Sequence, residues 1–543
     1  MTLGLKARWV AALGLAAWCA GCTGVTTAYE EVVLAAAMEE APTGGATDTS
    51  PGAAPDAGDT APAAKPQLTA VVVSLRQCLE WALEYNLGLR IQRLTPDIRD
   101  AQIVEALASF DATFNGGYNF ADTETPATSL LTGTTTDENE THAANLGLMK
   151  RLFPGTQVNV GLDWNRLDTN NTFISPDPQH NTTFGVGLTQ PLLRDFGVGV
   201  NTAAIRIARN TKAGSISTFR SNVEATLQAV EEVYWTLYLT IEELKVRQRQ
   251  LERAKDLLDR AQKLVAAGRS ARVEQVSAEA EVARVQAQIV VAENAIRRAE
   301  DVLKRLVNHP TLQLSVRRTR VVLADGPSDA PYQVDPDQAV AEALKKRPDL
   351  RNLELAKRNA DIRESVAENQ LLPRLDLTLR TALHGLDRRF GNSLEEPTQF
   401  DYQDWIAGLT AQIPLGNRAA RSRLLQARLG RQQAALSVAD LRQQIVLEVV
   451  RAIDDLRTSR EEINAAREAT RLARERLKDE EALYRNERST RTDVLQAQTA
   501  LAEAELNDIR AIIGFNINKS SLGRLRGTYL EMNRIEVAEP GED

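Results

Sequence analysis

From Asn201 to Ala267 the chain runs without a proline, a helical pattern of roughly 67 residues that would extend on the order of 100 Å. An element of that length does not fit inside an ordinary globular core, so it dictates an elongated architecture. Leu244, Leu251, Leu258 and Val265 recur at every seventh position with Ala254 and Ala261 between them, which predicts a coiled-coil seam with small residues for close approach. After a break at Gly268, the residues Val273, Val276, Ala280, Ala283, Ala287 and Val290 predict a second seam on a helix that returns beside the first.

The whole pattern then recurs. Gln77, Leu79, Ala82, Leu83 and Leu89 match Gln338, Val340, Ala343, Leu344 and Leu350 about 260 positions on. Leu227-Gln228-Ala229-Val230 matches Leu447-Glu448-Val449-Val450, and the first seam matches Ile463, Thr470, Leu477 and Tyr484, both only about 220 positions on. Thr492, Leu495, Thr499, Ala502, Leu506 and Ile509 repeat the returning seam. The offset shrinks by about 40, so the first half carries an insertion of that size. Each half reads as a helix, a β region, a very long helix and a return helix. The first half spans 74–308, with β region 110–193, long helix 200–267 and return helix 271–308. The second spans 335–527, with β region 374–415, long helix 417–486 and return helix 492–523. Residues 309–334 connect the halves, and 528–543 read as a loose acidic tail.

At the N-terminus, Lys6 and Arg8 precede the apolar run Trp9 to Trp18, which predicts a signal peptide over 1–21. Cys19-Ala20-Gly21-Cys22 resembles a bacterial lipobox, with Cys22 the residue to be acylated; an ordinary secretory signal is the other reading. Residues 22–73 then read as anchor and linker, with 41–67 too rich in Pro, Ala, Gly and Thr to bury a core. Cys78 is expected as a small buried residue on a helix face. No later stretch approaches the ~20 apolar residues of a spanning helix, so a membrane crossing would require a closed β-barrel. The formal charge of −8 comes from acidic and basic residues interleaved along the chain, which argues against a nucleic-acid partner.

The β regions alternate at period two. Phe114, Gly116, Tyr118 and Phe120 oppose Asn115, Gly117 and Asn119; Leu146 and Leu148 oppose Asn145 and Gly147. Val158, Val160, Leu162 and Trp164 oppose Asn159, Gly161, Asp163 and Asn165; Phe184, Val186 and Leu188 oppose Thr183, Gly185 and Gly187. The second half adds Leu375, Leu377 and Leu379, then Trp405, Ala407, Leu409, Ala411 and Ile413. An apolar face toward lipid and a polar face toward water is the barrel pattern. Connections 122–142, 168–181 and 385–401 read as long polar loops, and Phe153-Pro154-Gly155-Thr156 as a tight turn.

Taken in order, the duplicated halves, Gln190-Pro191-Leu192-Leu193, Arg347-Pro348-Asp349-Leu350, Ile413-Pro414-Leu415 and Ser489-Thr490-Arg491-Thr492-Asp493-Val494-Leu495 resemble the TolC-like outer-membrane efflux proteins, in their lipid-anchored branch, over roughly 74–527. The resemblance implies a mainly α fold: a homotrimer with a helical barrel of long hairpins crossing the periplasm and a β-barrel of twelve strands shared between subunits in outer-membrane lipid. It implies a passive exit duct of a tripartite efflux or type I secretion system, fed by an inner-membrane transporter and met at its tips by a periplasmic adaptor. The residues alone also allow a periplasmic coiled-coil adaptor with a soluble β domain. The insertion, a strand pair at about 143–167, departs from the family. It either joins the sheet, for six strands per chain and eighteen per trimer, or folds over the mouth or periplasmic side and leaves twelve.

No catalytic, cofactor or metal site is expected: His142, His180, His309 and His384 sit in loops, turns or strands without cysteine or paired-carboxylate company. By the resemblance, Asp493 rings the closed periplasmic gate, Gln496 stands where the family has a second acid, and Glu274 is the first-half counterpart of Asp493. Arg488 and Arg491, with Arg269 and Arg272, are candidates for ion pairs that lock the gate. The turns carrying Gly268, Arg269 and Ser270, and Glu487, Arg488 and Ser489, are the expected adaptor contacts.

Overall fold

The computed structural model describes residues 69–127, 135–312, 319–486 and 488–537; the signal segment, Cys22, most of the linker and Glu487 lie outside the described residues.

Strand β1 (Thr69–Val73) leads into helix α1 (Leu75–Tyr85), which starts on a reciprocal cap between Ser74 and Gln77 and buries Cys78, Leu79 and Ala82 on one face. The single helix expected over 74–109 is in fact two. Asn86 ends α1, and its side-chain oxygen caps α2 (Leu87–Leu107) by accepting the Leu89 N–H at 3.0 Å, while its amide nitrogen donates to the Leu306 carbonyl at 2.7 Å. The second half breaks at the matching place, where Pro348 opens α6 (Pro348–Asn369) after α5 (Pro336–Lys346). Strand β6 (Thr319–Leu323), in the connecting segment, pairs in parallel with β1, a two-stranded sheet absent from the sequence expectation.

The two long helices are α3 (Ala203–Ala266) and α8 (Arg418–Arg485), returned by α4 (Arg272–Val307) and α9 (Arg491–Leu525). Near the sheet the helices pack in the order α2, α3, α6, α8; at the far end the order is α4, α3, α9, α8. The wall is therefore four helices wide throughout. On α4 the seam expected at Val273, Val276 and Val290 is wrong. Those three side chains are exposed, and the face packed on α3 is Ala278, Val285, Ala292 and Ala299, spaced seven apart. The repeat register also shifts by two: Val223, Leu227, Val230 and Tyr234 of the first core correspond to Ile445, Val449, Ala452 and Leu456 of the second. The tail is not loose at its start. Helix α10 (Tyr529–Asn533) buries Tyr529 and Leu530, and the Tyr529 hydroxyl donates to Glu231 at 2.8 Å.

The β regions form one antiparallel sheet of six strands in the order β2 (Ala112–Pro126), β3 (Thr136–Arg151), β4 (Gln157–Thr169), β5 (Gln179–Pro191), β7 (Arg374–Asp387), β8 (Gln403–Gln412). The inserted pair is β3 and β4, hydrogen-bonded along its length between β2 and β5. It does not fold over the mouth. Strands β2 and β3 also run on through much of what the sequence reads as the loop 122–142.

Candidate functional site

Because side chains alternate across a strand, the register assigns every sheet residue to a face. One row reads Phe114, Leu148, Val160, Val186, Thr381, Trp405 across all six strands, and the next reads Gly116, Leu146, Leu162, Phe184, Leu383. The opposite face carries Asn115, Gly147, Gly161, Gly185, Ala382 and Asp404 in one row and Gly117, Asn145, Asp163, Thr183 and His384 in another. One face is greasy and the other is polar or bare. About four largely apolar rows, rising roughly 5 Å each on strands tilted near 40°, make a band of about 20 Å, close to the height of a barrel's lipid-facing belt and bounded by the polar row His142, Arg166, His180 and Asp387.

At the end of the sheet away from the helices, a segment expected as polar loop folds back on the apolar face. Helix α7 (Phe390–Glu395) sets Phe390 edge-on to Trp164 at 5.4 Å, and the Ser393 hydroxyl meets that of Thr182 at 3.1 Å with both side chains buried. Gly385 permits this approach, since a Cβ there would lie 2.2 Å from the Ser393 carbonyl. Sequence reasoning missed this cap because its partners are about 200 residues apart.

The helical wall ends on two unpartnered flanks. On one flank α2 exposes Leu87, Ile91, Leu94 and Ile98, at spacings of four, three and four, and α4 exposes Val273, Val276 and Val290. On the other, α8 exposes Leu425, Leu429, Leu436, Leu447, Leu472 and Leu483. The sheet likewise ends on two edge strands, β2 and β8, each unpaired on its outer side and with almost all of its residues exposed.

The tips lie at the end of the long helices opposite the sheet. Gly268 adopts φ +69°, and the Gly268 and Arg269 N–H groups close back on the carbonyls of Val265 and Leu264 at 3.0 and 2.9 Å. Arg269 and Arg272 are exposed and Ser270 is half-buried. In the second tip Asn486 ends α8, and Thr490 caps α9 in a reciprocal box with Asp493. The Asp493 carboxylate accepts from the Thr490 hydroxyl at 2.6 Å and its N–H at 3.2 Å, and from the Ser489 hydroxyl at 3.5 Å. The Ser489 hydroxyl also donates to Glu480. These hydrogen bonds, the Thr490 hydroxyl first, hold the Asp493 carboxyl below its ordinary pKa. Among the described residues, one of the arginines expected as locks is set beside a carboxylate. Arg491, only 8% exposed, sets Nε 3.3 Å from the Glu274 carboxylate, out of line for a hydrogen bond, and donates from its terminal nitrogen to the Glu274 carbonyl. Arg488 and Gln496 are exposed.

A second clasp sits at the matched motif. Arg347 bridges Asp349 at 2.6 Å and Glu448 of α8 at 2.5 Å, tying the start of α6 to the neighbouring long helix. Among the described residues, no group of three or more His, Cys, Asp or Glu side chains could hold a metal ion.

The family profile described as Outer membrane efflux protein matches residues 83–309 and 339–522, more than half of the chain. The chain belongs to that outer membrane efflux protein family. The two matched stretches are the two repeats. Solved structures of outer-membrane channels share the fold: the outer-membrane channel OprN (16% identity, 84% of this chain and 90% of that one, TM-score 0.61), the Campylobacter jejuni CmeC outer membrane channel (15%, 86% and 87%, 0.62) and the outer membrane protein VceC of Vibrio cholerae (16%, 83% and 96%, 0.61). None of the curated proteins matches the sequence. Efflux-family membership and the two-faced sheet agree: a wall of four helices is continued by a sheet with one apolar face.

Proposed function

We propose that three copies of this chain close into a passive exit duct in the outer membrane, served by an inner-membrane pump through a periplasmic adaptor. The observation that carries the reading is the pair of flanks. A four-helix wall with apolar stripes on both outer helices, and a sheet with one free strand at each end, is one segment of a closed tube. Strand β8 runs opposite to β2, so β8 of one copy pairs antiparallel with β2 of the next. A soluble spacer would leave the stripes and the apolar sheet face in water, an exposed area far beyond what a monomer carries. Cys22 anchors the chain by its lipid in this reading, and Asp493, Glu274 and Gln496 line the closed tips. Gly268, Arg269 and Ser270, with Glu487, Arg488 and Ser489, meet the adaptor.

Electrophoresis of detergent-extracted protein tests the assembly. A trimer band that collapses to monomer on boiling supports it, and a chain that is monomeric before boiling overturns it. Palmitate incorporation lost in Cys22→Ala tests the anchor.

A further inference from the structure

Resting on the trimeric reading above, we propose that the membrane section of this duct is an eighteen-stranded barrel as wide as the helical tube beneath it, so that the exit does not narrow at the membrane.

Three observations converge on this. First, β3 and β4 are full members of the sheet. Their apolar faces continue those of β2 and β5 row by row, and their polar faces do the same. A six-stranded segment is even-numbered, so successive copies meet antiparallel.

Second, the turn of the inserted hairpin is built into the junction between sheet and helices. Phe153 packs on Phe110, in the short turn just past α2, with ring centroids 4.7 Å apart. Arg151 donates to the Asn201 side chain at 2.6 Å, and the Gly197 N–H donates to the Pro154 carbonyl at 3.0 Å, both just ahead of α3. Gly155 makes the fit, with φ +97° and the Asp195 carbonyl 2.5 Å from where a Cβ would sit. The hairpin therefore fills the arc between α2 and α3 in place of hanging beside it.

Third, the widths agree. Strands about 4.8 Å apart and tilted near 40° each occupy about 6.3 Å of circumference, so six span about 38 Å. Four helices at about 9 Å spacing span about 36 Å. Eighteen strands enclose a backbone diameter of about 36 Å against about 24 Å for twelve, and inward side chains leave about 26 Å clear. Gly147, Gly161 and Gly185 lie side by side on the inner face and leave three neighbouring strands without a side chain at that level.

Electron cryomicroscopy of the detergent-extracted full-length protein decides the matter. The expected result is eighteen strands and a barrel about 36 Å across. A trimer with twelve strands, about 24 Å across and with the hairpin outside, overturns the wide barrel and leaves the duct standing. A particle that is not a trimer overturns both. Disulfide trapping gives an independent readout: Val160→Cys with Val186→Cys is expected to cross-link within a chain, and Phe114→Cys with Val186→Cys is not. Cross-linking of the second pair but not the first sinks the proposal.

Discussion

Arg491, on the first turn of α9, grips Glu274, on the first turn of α4, by both its carboxylate and its backbone carbonyl. The contact joins the two hairpin tips of one chain, and the guanidinium is almost wholly buried while the carboxylate remains about half exposed. Truncating the arginine leaves a solvated acid behind, so the cost is that of a charged hydrogen bond, about 1.5–3 kcal/mol. Arg491→Ala is expected to raise the leak conductance of the closed duct several-fold. Glu274→Gln, which keeps the carbonyl contact, should raise it less. Equal leak in both variants and in the wild type would remove the clasp from the account.

Asp493 has two candidate duties, lining the lumen and capping α9. Asp493→Asn keeps an acceptor for Thr490 but no charge, so unchanged cation selectivity would assign the residue to the cap alone, and a loss of selectivity would place it at the pore. Its folded pKa is depressed, so its contribution is present above the unfolded value of about 3.9 and is lost as pH falls through the lower folded value. Hydrogen exchange of the first α9 amides should therefore speed up only in strong acid, and in Asp493→Ala at neutral pH as well.

Gly155→Ala should disturb the hairpin anchor. The left-handed backbone costs an alanine about 1–2 kcal/mol before the clash with the Asp195 carbonyl is counted. A melting temperature lowered by several degrees is the expected result, and wild-type melting would show that the turn is free to move.

Cys78 should be inert. Burial first, and then the nearby Asp325 charge, push its thiol up to about 12, so almost no thiolate exists at neutral pH. Maleimide labelling of Cys78 is expected only after unfolding; rapid labelling of the native protein would mean that α1 opens.

The elements carried by periodicity were legible in the sequence: both long helices, their returns and all six strands of the main sheet. What was hidden depended on contacts between distant residues. Val71 and Val73 look like linker until Val321 and Leu323 pair with them. Ser393 looks like loop until Thr182 lies beneath it, and Tyr529 looks like tail until Glu231 accepts its hydroxyl. Periodicity alone points to the exposed valines of α4 as its packed seam, because a helix at the flank of a wall is apolar on two faces and periodicity does not say which face meets its own chain. The same limit applied to the inserted hairpin, whose alternation suits a strand inside the sheet or a flap above it. Phe110, Asn201 and Gly197, all outside the hairpin, settle its place. At the tips, the cap of Asp493 is written in the local pattern Thr490-Arg491-Thr492-Asp493, whereas the Arg491–Glu274 contact spans more than 200 residues.

Planar-bilayer recording of the purified, detergent-extracted full-length protein bears most directly on the duct itself. The duct is expected to give discrete conductance steps from the heat-sensitive trimer, low in the wild type and raised in Arg491→Ala. A chain that stays soluble without detergent and leaves the bilayer silent in both forms would contradict it.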